Sequence, residues 1–172
     1  TLKVHKDTPV FDGAFSNRCY SESVKYAFIN FRSKAMSAGR YDPNEDKILT
    51  DQWARIIVHL PYAFQAKRMF PDVFRHDRRN LPVWDEIESQ IGPEPIRTNF
   101  PEGIAGDSEF ESANDGYRRK ISKTDYFKQF VEERIEKTQR ASSMVGNQYT
   151  GSIFLALMTF FPIFFAVIEN DL

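Results

Sequence analysis

Cysteine is nearly absent. Cys19 stands alone in 172 residues, so no intrachain disulfide can form, and a reducing compartment, the cytoplasm, is the expected setting. Charge of one sign is missing as well: 23 Lys and Arg face 24 Asp and Glu for a formal charge of -1, which excludes a global field that would draw nucleic acid or an anionic membrane. No apolar run reaches the ~20 residues a bilayer-spanning helix needs. The longest, IFLALMTFFPIFFAVI at 153–168, is interrupted by Thr159 and Pro162 and reads as a buried core helix. No charged-then-apolar leader opens the sequence, no internal repeat or low-complexity tract appears, and no His, Cys, Asp or Glu grouping has zinc spacing, so no metal is expected.

What the chain has in excess is ring surface. Aromatic residues make up 15% of it, with 16 Phe, and such surface needs something to pack against. The length is enough for one domain burying roughly 70% of its unfolded surface. An apolar helix as the last element, and a start at Thr1 without Met, give the expectation of a chain unfinished at both ends.

The spacing of Phe15, Cys19, Ala27, Phe28, Phe31 and Ala35 predicts a helix over 15–36, with Gly39 as its stop. Thr50 or Asp51 is placed to cap a short turn leading into RIIVH, 55–59, whose β-branched run reads as a strand. Pro61 then suits the first turn of a helix over YAFQAKRMFPDVF. From about 77 to 118, Pro82, Pro93, Pro95 and Pro101, with several Gly, Asn and Asp, break any period, so this stretch reads as a long irregular excursion holding one short helix near 83–90. Ser122 and Asp125 resemble a capping box ahead of a helix to about Arg140, with Tyr126, Phe127, Phe130, Val131 and Ile135 on its apolar face. The next helix, rooted near Thr150, is apolar on nearly every side and is expected to be central.

His59 ends the apolar run, where a following helix N-terminus disfavours an extra proton on the imidazole. A neutral imidazole can donate one hydrogen bond to a carbonyl oxygen, although a lone His at a strand end is more often a satisfied core residue. Asn147, between Gly146 and the Tyr149-Thr150 pair, suits either a substrate oxygen or the helix cap. Lys67 and Arg68 suit either a phosphate or plain solvation. Cys19, on an apolar helical face, reads as core, and the basic run YRRKISK at 117–123 lacks the charge context of a DNA reader. Two classes remain: an enzyme acting on a carbonyl compound, and a helical interaction or nucleic-acid module.

The pieces meet in one resemblance. PVFDGAFSNRCY at 9–20, VHLPYAFQAKR at 58–68 and VGNQYTGSIF at 145–154 resemble, in order and interval, three motifs of the hydroxymethylglutaryl-CoA synthases: P-V-V/L-D-G-x-x-S-x-x-C-Y, F-H-x-P-Y/F and G-N-x-Y-T-S/G-S. The resemblance spans most of the chain. It implies the α/β, thiolase-like fold, with residues 1–172 as an incomplete, helix-rich C-terminal portion. It implies condensation of acetyl-CoA, acetoacetyl-CoA and water in the mevalonate route, with CoA thioesters as substrates and no resident cofactor. His59 is then expected to bind the acetoacetyl oxygen, Asn147, Tyr149 and Ser152 to contact substrate, and Lys67 and Arg68 to meet CoA.

The family's nucleophilic cysteine and general-base glutamate belong to its preceding half, and Cys19 matches a different cysteine. The chain is therefore expected to be inactive alone, to need that N-terminal half, and to form a homodimer when complete. One departure stands out: Phe64 occupies the place five residues after His59 where many members carry lysine. That leaves a relative acting on acyl-carrier-protein-bound substrates in polyketide β-branching, or a non-catalytic module, as alternatives.

Overall fold

A computed structural model describes residues 2–3, 10–42, 47–59, 65–145 and 150–158. Its opening is a minimal antiparallel ribbon, β1 (Leu2–Lys3) against β2 (Val10–Phe11). Asp12 then starts α1 (Gly13–Ser37) by accepting from the N–H of Phe15 at 2.9 Å, satisfying one of the donors a helix start leaves open. Ala38 and Gly39 end it, and Gly39 adopts φ 64°, which a residue without Cβ takes at little cost. The buried seam of α1 is Ser21, Phe28 and Ala35, at heptad intervals and facing chiefly α2. The face inferred from apolar spacing is thus rotated: Phe28 and Ala35 belong to the core, Phe15 and Cys19 are half-buried, and Phe31 is exposed, edge-on to Trp53.

The 3-10 turn over Leu49–Gln52 is not capped by Thr50 or Asp51. Its N–H groups at Leu49 and Thr50 donate to the carboxylate of Asp77, at 3.2 and 2.8 Å. The RIIVH segment that follows pairs with no strand among the described residues. Ile56 N–H donates instead to Arg134 O at 2.7 Å, and Thr138 Oγ1 donates to Ile56 O at 2.7 Å. The reason lies in the partner: Glu132–Glu136 is a π turn, and a wider turn lets a helix offer a carbonyl sideways. A β-branched run can therefore satisfy its backbone against a helix. The predicted helix start at Pro61 lies outside the described residues.

Helix α2 (Gln65–Arg78) runs through Pro71 and four residues beyond Phe74. It is the molecule's axis, with Ala66, Met69, Phe70, Val73 and Phe74 all buried against Trp84 of α3 and Phe127 and Phe130 of α5. Helix α3 (Pro82–Ile91) begins with Pro at its first position, and α4 (Ile104–Ile121) follows after a short 3-10 turn. Helix α3 is the short helix expected near 83–90, whereas α4 corrects the expectation that the rest of 77–118 is irregular. In α4 the apolar signal is thin, with Tyr117 and Ile121 buried, and Gly106 is required by packing: a Cβ there would sit 1.7 Å from Pro101 O.

The capping box expected at Ser122 is also displaced. Thr124 caps α5 (Asp125–Val131), accepting from Phe127 N–H at 3.3 Å, while Ser122 Oγ donates back to Arg118 O. Helix α5 passes through the π turn into α6 (Lys137–Val145), burying Phe127, Phe130, Val131 and Ile135 as expected. The last described helix, α7 over 151–158, buries Ser152 and Ala156 but leaves Phe154 63% and Met158 71% exposed. Residues 159–168, the rest of the apolar run expected to be central, lie outside the described residues.

Candidate active site

His59 ends the segment between the 3-10 turn and α2, with its carbonyl and ring held from two sides. On one side, the Tyr20 hydroxyl of α1 donates to His59 O, and the two rings meet edge to face at 6.2 Å and 89°. Burial raises the Tyr20 pKa above its usual value, so the phenol stays a proton donor at neutral pH. On the other side, Ser152 Oγ in the first turn of α7 lies 3.0 Å from His59 Nδ1, and Ser152 is 0% exposed. Residues 20, 59 and 152 are thereby gathered from three distant parts of the chain.

The second ring nitrogen, Nε2, is the other hydrogen-bonding atom of that imidazole. A donor at Nε2 stabilises an oxygen that gains negative charge during a reaction more than it stabilises the neutral carbonyl, which is the requirement for lowering a barrier. Asn147 and Tyr149, the other residues expected at this site, lie outside the described residues, as does Phe64. Among the described residues no group of three His, Cys, Asp or Glu is placed to hold a metal ion, and no helix is long and apolar enough to cross a membrane.

Lys67 and Arg68 are found elsewhere. Both are exposed on α2, Lys67 paired with Glu136, and both line an open groove of about 1070 Å³ together with Arg18 and Arg119. His59 and Ser152 do not line that groove, so it does not bring the basic residues and the histidine together. Cys19 is a half-buried free thiol. Sequence reasoning missed Tyr20 altogether. It closes the motif PVFDGAFSNRCY, but its partner is a backbone carbonyl 39 positions away, which no local spacing encodes.

Comparison with known proteins sets this geometry in a family. The model of the hydroxymethylglutaryl-coenzyme A synthase C-terminal region matches residues 3–164. A hydroxymethylglutaryl-CoA synthase of Haloferax volcanii is 29% identical over 158 residues, covering 92% of this chain and 32% of that protein. A solved structure, MvaS in complex with 3-hydroxy-3-methylglutaryl coenzyme A, aligns with a TM-score of 0.53 at 22% identity, over 91% of this chain and 30% of the other. That likeness shows the thiolase-like fold expected from the motifs, of which the described residues form a helix-rich part. The chain spans about a third of the length of these relatives.

Proposed function

The chain belongs to the hydroxymethylglutaryl-coenzyme A synthase C-terminal family, and from that premise we propose that it forms the oxygen-binding wall of an enzyme joining acetyl-CoA to acetoacetyl-CoA. The observation that carries the reading is His59, held at Nδ1 by Ser152 and at its carbonyl by Tyr20. In the reaction, a methyl proton leaves an enzyme-bound acetyl group and the carbanion attacks the ketone of acetoacetyl-CoA. The ketone oxygen becomes an alkoxide, which a hydrogen bond from His59 Nε2–H stabilises and which becomes a hydroxyl by taking the proton that the base removed from the methyl group. Water then releases the product from its thioester link to the enzyme, giving hydroxymethylglutaryl-CoA and free CoA overall. Asn147 and Tyr149 are assigned to the same substrate.

The nucleophilic cysteine and the base that removes the methyl proton come from the rest of the synthase, so this chain is inactive without it. The outward side chains of Phe154 and Met158, and of Met144 and Val145 on α6, are the surface we assign to that remainder, since exposed apolar residues of this size commonly mark contacts. The thioester carrier is assigned as free CoA. The Lys67–Glu136 pair lies at the surface, where an ion pair is worth little and exchanges readily for a phosphate.

The test is His59→Ala in the full-length enzyme. Condensation falls by about 10²-fold or more, the usual loss for one positioned donor, while acetylation of the nucleophile continues. Equal loss of both half-reactions would show that His59 does not serve the ketone oxygen.

A further inference from the structure

We infer that Ser152 is a positioning residue rather than a substrate contact: its hydroxyl donates to His59 Nδ1 and so fixes the neutral tautomer in which Nε2 carries the proton. The inference rests on the synthase reading and adds the device that holds its key group in one protonation pattern. Three observations support it. Ser152 is 0% exposed and its Oγ sits 3.0 Å from Nδ1, so the hydroxyl is turned to the imidazole and has no surface left for a ligand. Ser152 also lies in the first turn of α7, whose positive dipole end favours a lone pair facing it and disfavours a protonated nitrogen there. A lone pair on Nδ1 in turn requires the proton of a neutral ring to be on Nε2.

The third observation is the opposite anchor. Tyr20 donates to the backbone carbonyl of His59 and sets its ring edge-on at 6.2 Å, so the segment carrying the imidazole is fixed from α1 while the ring is fixed from α7. Rotation of the ring would cost the Ser152 bond, and displacement of the backbone would cost the Tyr20 bond. Tyr20 is a second positioning residue by the same logic.

The experiment uses the full-length synthase labelled with 15N-histidine, with the His59 ring signals assigned by their loss in His59→Gln. In the unsubstituted enzyme, Nδ1 should show the shift of an unprotonated, hydrogen-bonded nitrogen and Nε2 that of a protonated one. Ser152→Ala removes a single oxygen atom. It should move Nδ1 toward its unbonded value and lower kcat for condensation by about 10- to 100-fold, the scale on which misplacement of a reacting group acts, with the KM for acetoacetyl-CoA and nucleophile acetylation unchanged. Tyr20→Phe should lower kcat in the same direction without moving Nδ1. A raised KM at constant kcat in Ser152→Ala would make Ser152 a substrate contact, and a protonated Nδ1 in the unsubstituted enzyme would reverse the bond; either overturns the inference. The ring shifts need no substrate, so shifts as expected in a protein without condensing activity would uphold the bond while overturning the synthase reading.

Discussion

Helices α2 and α7 are treated in opposite ways by the fold. Almost every residue of α2 is buried, including Asp72, Arg75, Asp77 and Arg78, and each of these charges is met from within the chain. Arg75 donates to Asp72 and Asn114 at 2.9 Å each, and Arg118 faces Asp72 at 3.1 Å as an ion pair off the hydrogen-bonding line. Arg78 donates to Thr50 and Asp51 and lies over the Phe74 ring at 4.1 Å. Helix α7, by contrast, buries small Ser152 and Ala156 and turns Phe154 and Met158 outward. The element that determines stability thus has its buried charges paired inside the chain, whereas the element that holds the histidine turns two large apolar side chains outward. Foldedness and chemistry are drawn from different helices.

The strongest way to break this contrast is at Asp77. Its carboxylate accepts two N–H bonds from the turn at Leu49 and Thr50 and lies 3.7 Å from Arg78. Asp77→Ala leaves two buried donors open and Arg78 less compensated, so unfolding in urea should show a loss of about 3–5 kcal/mol. A loss below about 1 kcal/mol, the range of an exposed pair, would mean that the α2 network is incidental.

That network also explains how much could be read beforehand. The apolar faces of α1 and of α5 with α6 follow periods of three and four, and the positions of Phe28, Phe127, Phe130 and Ile135 were legible from those periods. The charges of α2 were not, because spacing alone cannot tell a solvated Arg or Asp from one whose partner comes from Asn114 or Thr50. RIIVH misled for a related reason: β-branched residues mark an extended, half-buried segment, but whether a strand or the π turn at Arg134 receives its N–H is a tertiary fact. Helix α4 was hidden by Gly106 and Gly116, which weaken a helical pattern although the first is demanded by contact with Pro101. In the candidate site, His59 and Ser152 were legible through motifs, while their bond, spanning 93 positions, and the Tyr20 anchor were not.

A smaller effect sharpens the comparison on the flank of α2. His76 has its pKa lowered to about 4, first by burial and then by Arg79, Arg75, Lys25 and Arg32, the last also donating to His76 O at 3.2 Å. Its folded value lies below the ordinary 6.5, so the unfolded chain binds the proton more readily. The contribution of neutral His76 is complete above pH 6.5 and is lost as pH falls toward 4. The full drop corresponds to about 3 kcal/mol, which screening at a half-exposed site reduces to about 1 kcal/mol. His76→Gln should therefore flatten the decline of Tm between these pH values, and an unchanged pH profile would show that His76 does not couple to folding.

The smallest expected effect lies on α7. Phe154 is 63% exposed, against 1% for Phe74 of α2. Truncating a buried Phe costs about 3–5 kcal/mol, but Phe154→Ser in the 172-residue chain removes a ring that the chain itself hardly covers. Its stability should change by no more than about 0.5 kcal/mol, the range of a surface substitution. In the full-length synthase the same change should cost more, about 1.5–3 kcal/mol, because there the ring is assigned to contact with the remainder of the enzyme and would lose buried apolar area. Urea unfolding of both proteins, each with and without the substitution, gives the comparison directly. An equal, small effect in both would leave the α7 face unoccupied in the complete enzyme, and a large effect in the shorter chain would place Phe154 in the same core as Phe74.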